Sequence, residues 1–244
     1  MLPSRLRTFG VVLMVRSTHP RLLLVMSLGM GAAAALAGRP TREVGLVIGA
    51  VAVAQAILGW HNDLVDRKRD LERFDEDHPP QAKPIAAGML DAGTVSFAMA
   101  CALLLLIPVS IAAGVTAGLS LLGYVVVGML GNHVLRKGAL SWLPWAVSFA
   151  LLPAYLAYGG WGGDGQDTPP EIAITVLAAL LGVWVHFVVS LPGLVLDNRD
   201  GWRTLPLRVA LKTGAARLLW LSLLLLVLTL AGLAVAGTEV GLTQ

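Results

Sequence analysis

The chain has 244 residues, 56% of them hydrophobic and only 14% charged, with a formal net charge of +3. A water-soluble domain carries about 25% charged residues, so this composition, with a mean hydropathy of +0.75, excludes an ordinary soluble globule and points to a lipid bilayer as the solvent. The single cysteine, Cys101, excludes an internal disulfide or a thiolate metal cluster and is read as a packing residue.

In chain order, a basic segment over residues 1–20 comes first, with no clear signal-peptide cleavage site after it. Seven uncharged apolar runs then follow, near Leu22–Gly38, Val44–Trp60, Thr94–Val109, Val115–Gly131, Leu140–Gly160, Ile172–Leu196 and Leu218–Gly237. Each is of the order of the roughly 20 residues that span a bilayer. The third and fourth belong to one uncharged stretch from Ala92 to His133, which the turn residues between Pro108 and Gly118 divide. The fold class is therefore an all-α integral membrane protein of about seven transmembrane helices, organised as a single domain over residues 1–244.

Basic residues set the orientation. With the N-terminus in the cytoplasm, the inside segments hold Arg5, Arg7, Arg16 and Arg21, then Arg67, Lys68, Arg69, Arg73 and Lys83, then Arg136 and Lys137, and last Arg199, Arg203, Arg208, Lys212 and Arg217. Only Arg39 and Arg42 of the 18 basic residues fall outside. An odd number of spans puts the C-terminus outside, and a bacterial-type cell membrane is the expected location. The basic balance is thus a topology signal and calls for no nucleic acid.

Charge of both signs gathers in two cytoplasmic loops, residues 61–91 and 197–217. If the second span continues as a helix past Trp60, residues advance by about 100° each, and Asp63, Asp66 and Asp70 fall within an arc of about 60°. Asn62 and Arg67 flank that arc, while Lys68 and Arg69 point elsewhere. Three carboxylates on one face repel one another and favour a polyvalent cation between them. Oxygen-only ligands suit Mg²⁺, which shares itself between a few carboxylates and a phosphate. A salt-bridged, solvated helix end is the plainer alternative. In the second loop, Asp197 and Asp200 lie at i and i+3, and the same face runs back through Gly193, Ser190 and His186. A lone intramembrane histidine is more often a hydrogen-bonded packing residue than a ligand.

These residues resemble the UbiA superfamily of intramembrane prenyltransferases. Asn62, Asp63, Asp66 and Asp70 reproduce its first motif, NDxxDxxxD, at the end of the second helix. Lys83-Pro84-Ile85-Ala86-Ala87-Gly88 is similar to its basic-Pro-Leu-x-x-Gly segment. Arg136-Lys137 falls where the family has a basic pair against diphosphate, and Gly201-Trp202-Arg203-Thr204-Leu205-Pro206-Leu207 resembles its Gly-x-x-Thr-Leu-x-Val element. The resemblance implies a helical bundle around a central cavity, with Mg²⁺ on Asp63, Asp66, Asp70 and Asp197. It also implies a polyprenyl diphosphate held by Asn62, Arg67, Lys83, Arg136, Lys137, His186 and Asp200. A prenyl group would pass to a hydrophobic acceptor, with Tyr155, Tyr158, Trp184 and Phe187 as candidate faces for an allylic cation.

Departures from that pattern are specific. The family's second motif, DxxxD, finds Asp197 at its second position but Gly193 at its first, with Asp200 one turn further on as a substitute and Gly201 where the helix would end. Asn132 stands where an aromatic is common. The usual last two of nine helices are missing, which implies a smaller site, a second copy or a partner subunit. A terpene cyclase, a phosphoribosyl transfer to polyprenyl phosphate and a non-catalytic lipid-binding relative are the alternatives within this resemblance. A CDP-alcohol phosphotransferase fits Asp197, Asp200, Gly201 and Gly214 but finds Leu218 and Ser222 in place of two further carboxylates.

The charge asymmetry makes a direct prediction about topology. A cysteine placed at Gly165 in intact cells should react with an impermeant thiol reagent, and one placed at Glu76 should not. The reverse pattern would overturn the orientation and move the acidic loops to the other face.

Overall fold

The computed structural model describes residues 4–72, 83–161 and 168–240, with side chains from Gly10 through Glu239. The side chains of Arg5, Arg7 and Arg73 and the labelling positions Glu76 and Gly165 lie outside the described residues. Ten α-helices follow in order among them: α1 Ser4–Arg16, α2 Pro20–Leu36, α3 Thr41–Leu71, α4 Ala92–Ile111, α5 Val115–Leu130, α6 Leu143–Ala157, α7 Ile172–Ser190, α8 Leu194–Arg199, α9 Leu205–Thr213 and α10 Ala215–Val240.

Every apolar run predicted from sequence is a helix. Five, with α3, α4, α5, α7 and α10 as their apolar cores, are long and apolar enough to cross a membrane, and α1 with α2 makes a sixth if that bent pair is one span. The remaining run, α6, is a shorter apolar helix of 15 residues. Large apolar side chains cover the outside of the bundle, among them Phe97 and Leu104 on α4 and Trp220, Leu224 and Val227 on α10. Such a surface is unstable in water and matched to lipid. Cys101 is exposed on α4, so it joins that lipid-facing surface and does not pack in the core as its composition suggested.

Successive helices pack as neighbours, α2 on α3, α3 on α4, α4 on α5, α5 on α6, α6 on α7 and α7 on α10, while α3 also meets α5. This makes α3 the axis of the bundle. Its buried residues include Val47, Ala50, Val51, Ala54, Gln55 and Ile57, a stripe at the three-to-four residue spacing of a helix packed on several sides. Helix α3 has 31 residues and is therefore about 46 Å long, against a hydrocarbon core of about 30 Å. The surplus of about ten residues carries Asp63, Asp66 and Asp70 beyond the apolar layer.

The dividing turn after α4 lies at Ala112–Gly114, four residues past Pro108, which the helix absorbs. Gly114 has φ +131°, a conformation open to glycine and closed to other residues.

A second local constraint sits at the elbow between α1 and α2, which meet at 63°. His19 holds the left-handed conformation there, φ 54°, and Pro20 starts α2, where its missing N–H costs nothing. The elbow lies directly on α3: a Cβ at Gly59 would stand 2.6 Å from the carbonyl carbon and oxygen of Thr18. Trp60 reinforces the contact by donating its indole N–H to the Met14 carbonyl at 3.0 Å.

Gly59→Val should therefore push the elbow off α3 by overpacking. The expected cost is about 1–3 kcal/mol, read as a lower melting temperature of the purified protein in detergent. A melting temperature equal to that of the unsubstituted protein would show that the elbow is not held by this contact.

Candidate active site

The surplus end of α3 carries the three carboxylates on one face, and three other segments bring bases to them. From the elbow, His19 Nε2 lies 3.0 Å from Asp63 Oδ1. From the segment after α3, Lys83 Nζ reaches Asp63 Oδ1 at 2.8 Å and Asp70 Oδ2 at 3.2 Å. From the segment after α5, Arg136 Nη1 lies 2.5 Å from Asp66 Oδ1. Asp63 and Asp70 are 3% and 9% exposed, so an unpaired charge on either would be costly.

Local sequence explains how each base is delivered. Lys83 begins a tight turn in which the N–H groups of Met89 and Leu90 both donate to the Pro84 carbonyl. Gly88 closes that turn at φ +70°. Ile85 and Leu90 pack with Leu13 of α1 and Val95 of α4, so the turn is clamped beneath the carboxylates. Burial pulls the Lys83 ammonium down, and the carboxylates of Asp63 and Asp70 more than reverse this, holding it above the ordinary lysine value. Arg136 follows a π-helical turn, Gly131–Leu135, a local widening that is frequent at functional sites.

The second acidic segment faces the same network. Helix α7 breaks at a 3₁₀ turn, Leu191–Gly193, before the short α8 that carries Asp197. Arg69 of α3 donates from Nη2 to Asp197 Oδ1 at 2.5 Å and from Nε to Asp200 Oδ2 at 2.7 Å. Its guanidinium lies 3.4 Å from the centre of the Trp202 ring, with Arg136 at 5.1 Å and Lys137 Nζ at 5.9 Å from the same ring. Trp202 is thus a platform shared by three cations. Thr204 caps α9, its hydroxyl accepting from the Leu207 N–H at 3.3 Å, and Pro206 sits in the first turn. Gly201 has φ +73°, so α8 ends before it.

Several sequence expectations change here. Arg69, expected to point away, is the link between the two acidic segments, because its long side chain reaches partners on another helix. Arg67, expected on the diphosphate, is exposed and outside the network. Asn62 is half-buried beside the carboxylates, and Lys137 contributes through Trp202 and its backbone, its carbonyl accepting from the Arg203 N–H at 2.8 Å. Asp197, expected on a metal, is held by a guanidinium. His186 is 7% exposed and is a packing residue: Nε2 contacts Ser141 Oγ at 3.0 Å, Nδ1 contacts Ser190 Oγ at 3.3 Å, and the ring stacks on Trp145.

The aromatic candidates are also placed elsewhere. Phe187 is packed with Leu194, Leu207 and Leu218, and Trp184 meets Phe187 edge-on. Tyr155 lines a cavity of about 20 Å³ with Arg39, Glu43 and Trp161, and Tyr158 lies at the same end of α6. Glu43 and Asp63 are 20 residues apart on α3, about 30 Å, so this cavity is at the opposite end from the carboxylates. His19 was missed because nothing within its own neighbourhood of sequence connects it to Asp63; the only signal is a His-Pro break ahead of the first span.

Among the described residues, no three acidic or histidine side chains are close enough to hold a metal ion as they now stand. The donor set nevertheless fits a hard divalent cation. Asp66 Oδ1 and Asp70 Oδ2 are buried and accept no hydrogen bond, being held by ion pairs alone, and all three side chains offer oxygen only.

No protein-family model matches the sequence, and no curated protein does. Similar solved structures are those of a UbiA homolog from Archaeoglobus fulgidus. The form bound to GPP and Mg²⁺ has a TM-score of 0.67 and 17% identity, over 93% of this chain and 88% of that one. The form bound to DMAPP and Mg²⁺ has a TM-score of 0.66 and 16% identity, over 93% and 87%. A Cd²⁺-bound form gives 0.65 and 16%, over 93% and 89%. The chain is an integral membrane protein with the fold of these UbiA homologs.

Proposed function

We propose that this chain is a UbiA-type prenyltransferase, a single membrane domain that transfers a prenyl group from its diphosphate to a hydrophobic acceptor and requires Mg²⁺. The observation that carries this reading is the carboxylate face of Asp63, Asp66 and Asp70, placed just past the apolar layer and ringed by bases. A purely structural helix end has no need for three mutually repelling carboxylates, two of them buried. The fold supports the same reading, since the A. fulgidus homolog that shares it binds prenyl diphosphates and Mg²⁺.

Asp63, Asp66 and Asp70 would hold the ion, which neutralises charge on the diphosphate as the C–O bond breaks. Lys83 and Arg136 have the second task. Lys83 now neutralises two carboxylates and Arg136 one, each through a single nitrogen, and each is on a long side chain that can turn to a phosphate oxygen. Donors aimed at the leaving group stabilise the charge it gains when it takes the bonding electron pair. The allylic carbon then bonds to the acceptor, which gives up a proton. Burial of Asp63 and Asp70 keeps water from their carboxylates, so each charge interaction they make is stronger than in bulk solvent. The N-terminus, the acidic segments and Arg136 lie on the cytoplasmic side in this reading, where soluble prenyl diphosphates and Mg²⁺ are available.

Asp66→Asn preserves shape and removes one charge from the centre of the face. Mg²⁺-dependent release of diphosphate from geranyl diphosphate by the purified protein should fall at least about a hundredfold, with an unchanged gel-filtration profile. Arg67→Ala should stay within about twofold of the unsubstituted protein, as expected of an exposed residue outside the network. Substantial release by Asp66→Asn would sink the assignment, and no release by the unsubstituted protein would favour a non-catalytic lipid binder.

A further inference from the structure

We propose that Arg69 takes the place of a second divalent ion, so that this site binds a single Mg²⁺, on Asp63, Asp66 and Asp70, and none on Asp197 and Asp200. The inference rests on the function proposed above and specifies how its two acidic segments divide the work. Arg69 addresses two carboxylates through two different nitrogens, Nη2 to Asp197 at 2.5 Å and Nε to Asp200 at 2.7 Å. Two fixed bonds from one planar group define its orientation, and Trp202 closes one face of the guanidinium at 3.4 Å. The side chain is only 17% exposed.

Such a group is hard to displace. A guanidinium cannot shed its proton to make way for a metal, and pulling it off both carboxylates would leave a shielded cation without its partners. The first acidic segment differs on this point. There, Arg136 meets one carboxylate through one nitrogen, Asp66 Oδ1 at 2.5 Å, and Lys83 reaches Asp63 and Asp70 through its single Nζ. Neither base is fixed by two nitrogens on two carboxylates as Arg69 is, so a divalent ion can replace them.

Gly193 supplies the other half of the argument. It lies one turn before Asp197, and a Cβ built on it would stand 3.8 Å from Asp197 Oδ1. A carboxylate at that position would face Asp197 and could complete a pair around an ion. Glycine offers no ligand, and Asp200, the only nearby substitute identified in the sequence, is committed to the same arginine. The guanidinium contributes one positive charge where a metal would contribute two, and its planar fork retains further N–H donors for a phosphate oxygen.

The test is a count of bound metal. Mn²⁺ binding to the purified protein in detergent, in the presence of saturating unreactive geranyl S-thiolodiphosphate, should saturate at one ion per chain. Asp197→Asn should leave that count at one and the Mn²⁺ affinity within about threefold, whereas Asp66→Asn should weaken it at least tenfold. Two ions per chain in the unsubstituted protein, or loss of an ion in Asp197→Asn, would overturn the inference and leave the proposed function standing. No bound Mn²⁺ at all would remove the proposed function itself, and this inference with it. The count on the unsubstituted protein decides the matter even if a variant fails to fold.

Discussion

Mutual repulsion among Asp63, Asp66 and Asp70 is the constraint on which the rest of this end of the bundle depends. Helical spacing forces the three carboxylates onto one face, and burial removes the water that would otherwise screen them. The chain answers by converging on them from distant points: the α1–α2 elbow brings His19, the turn after α3 brings Lys83, and the segment after α5 brings Arg136. None of these bases is near its carboxylate through helical spacing, so the network also records the tertiary fold. Breaking the elbow would take a partner from Asp63, breaking the turn would take one from both Asp63 and Asp70, and breaking the π-helical segment would take one from Asp66.

Two glycines show how backbone serves that electrostatic end. Gly59 lets the elbow backbone lie against α3 one turn before Asp63, which sets the reach of His19. Gly88 takes φ +70° so that the chain can fold back under Lys83. Neither touches the carboxylates. Both hold a base within ion-pairing distance by permitting a close approach or a turn that a side chain at that position would oppose.

Much of this was legible in the sequence because it is local. The apolar runs gave the spans, the three-residue and four-residue steps from Asp63 to Asp70 gave one face, and Lys83 and Arg136 were identified through a family pattern. What was not legible depends on contacts between segments. A helical wheel places Arg69 off the acidic face, correctly as to its Cα, yet the second acidic segment approaches from that very side and the long side chain bridges to it. The same wheel favoured Arg67, which is exposed and whose charge acts on Asp91, outside the carboxylate face. His186 lies on the stripe that leads to Asp197, but Ser141 and Ser190 satisfy both of its ring nitrogens, a fact that no periodicity reveals. Tyr155 is packed in the core at the end of the bundle away from the carboxylates, because an aromatic near the end of a span does not say which end of the bundle it faces.

The opposite end of the bundle explains the two basic residues that depart from the charge pattern. Arg39 pairs with the buried Glu43 at 3.5 Å and donates to the Leu156 carbonyl at 2.9 Å, satisfying an acceptor near the end of α6. Arg42 stands 5.0 Å from the centre of the Trp161 ring, and the Trp161 N–H in turn donates to Glu43 Oε1 at 3.1 Å. Both arginines therefore have local electrostatic reasons to be where they are: Glu43 near the start of the axial helix is a buried acid, and buried acids require partners. With these two accounted for, the remaining basic residues among the described side chains belong to the segments flanking the carboxylate end. The axial helix α3 thus carries an acid at each end, one neutralised within a closed structural tie and the others within a ring of bases that can be exchanged. That difference in exchangeability, more than the count of charges, separates the structural end of the helix from the end proposed to do chemistry.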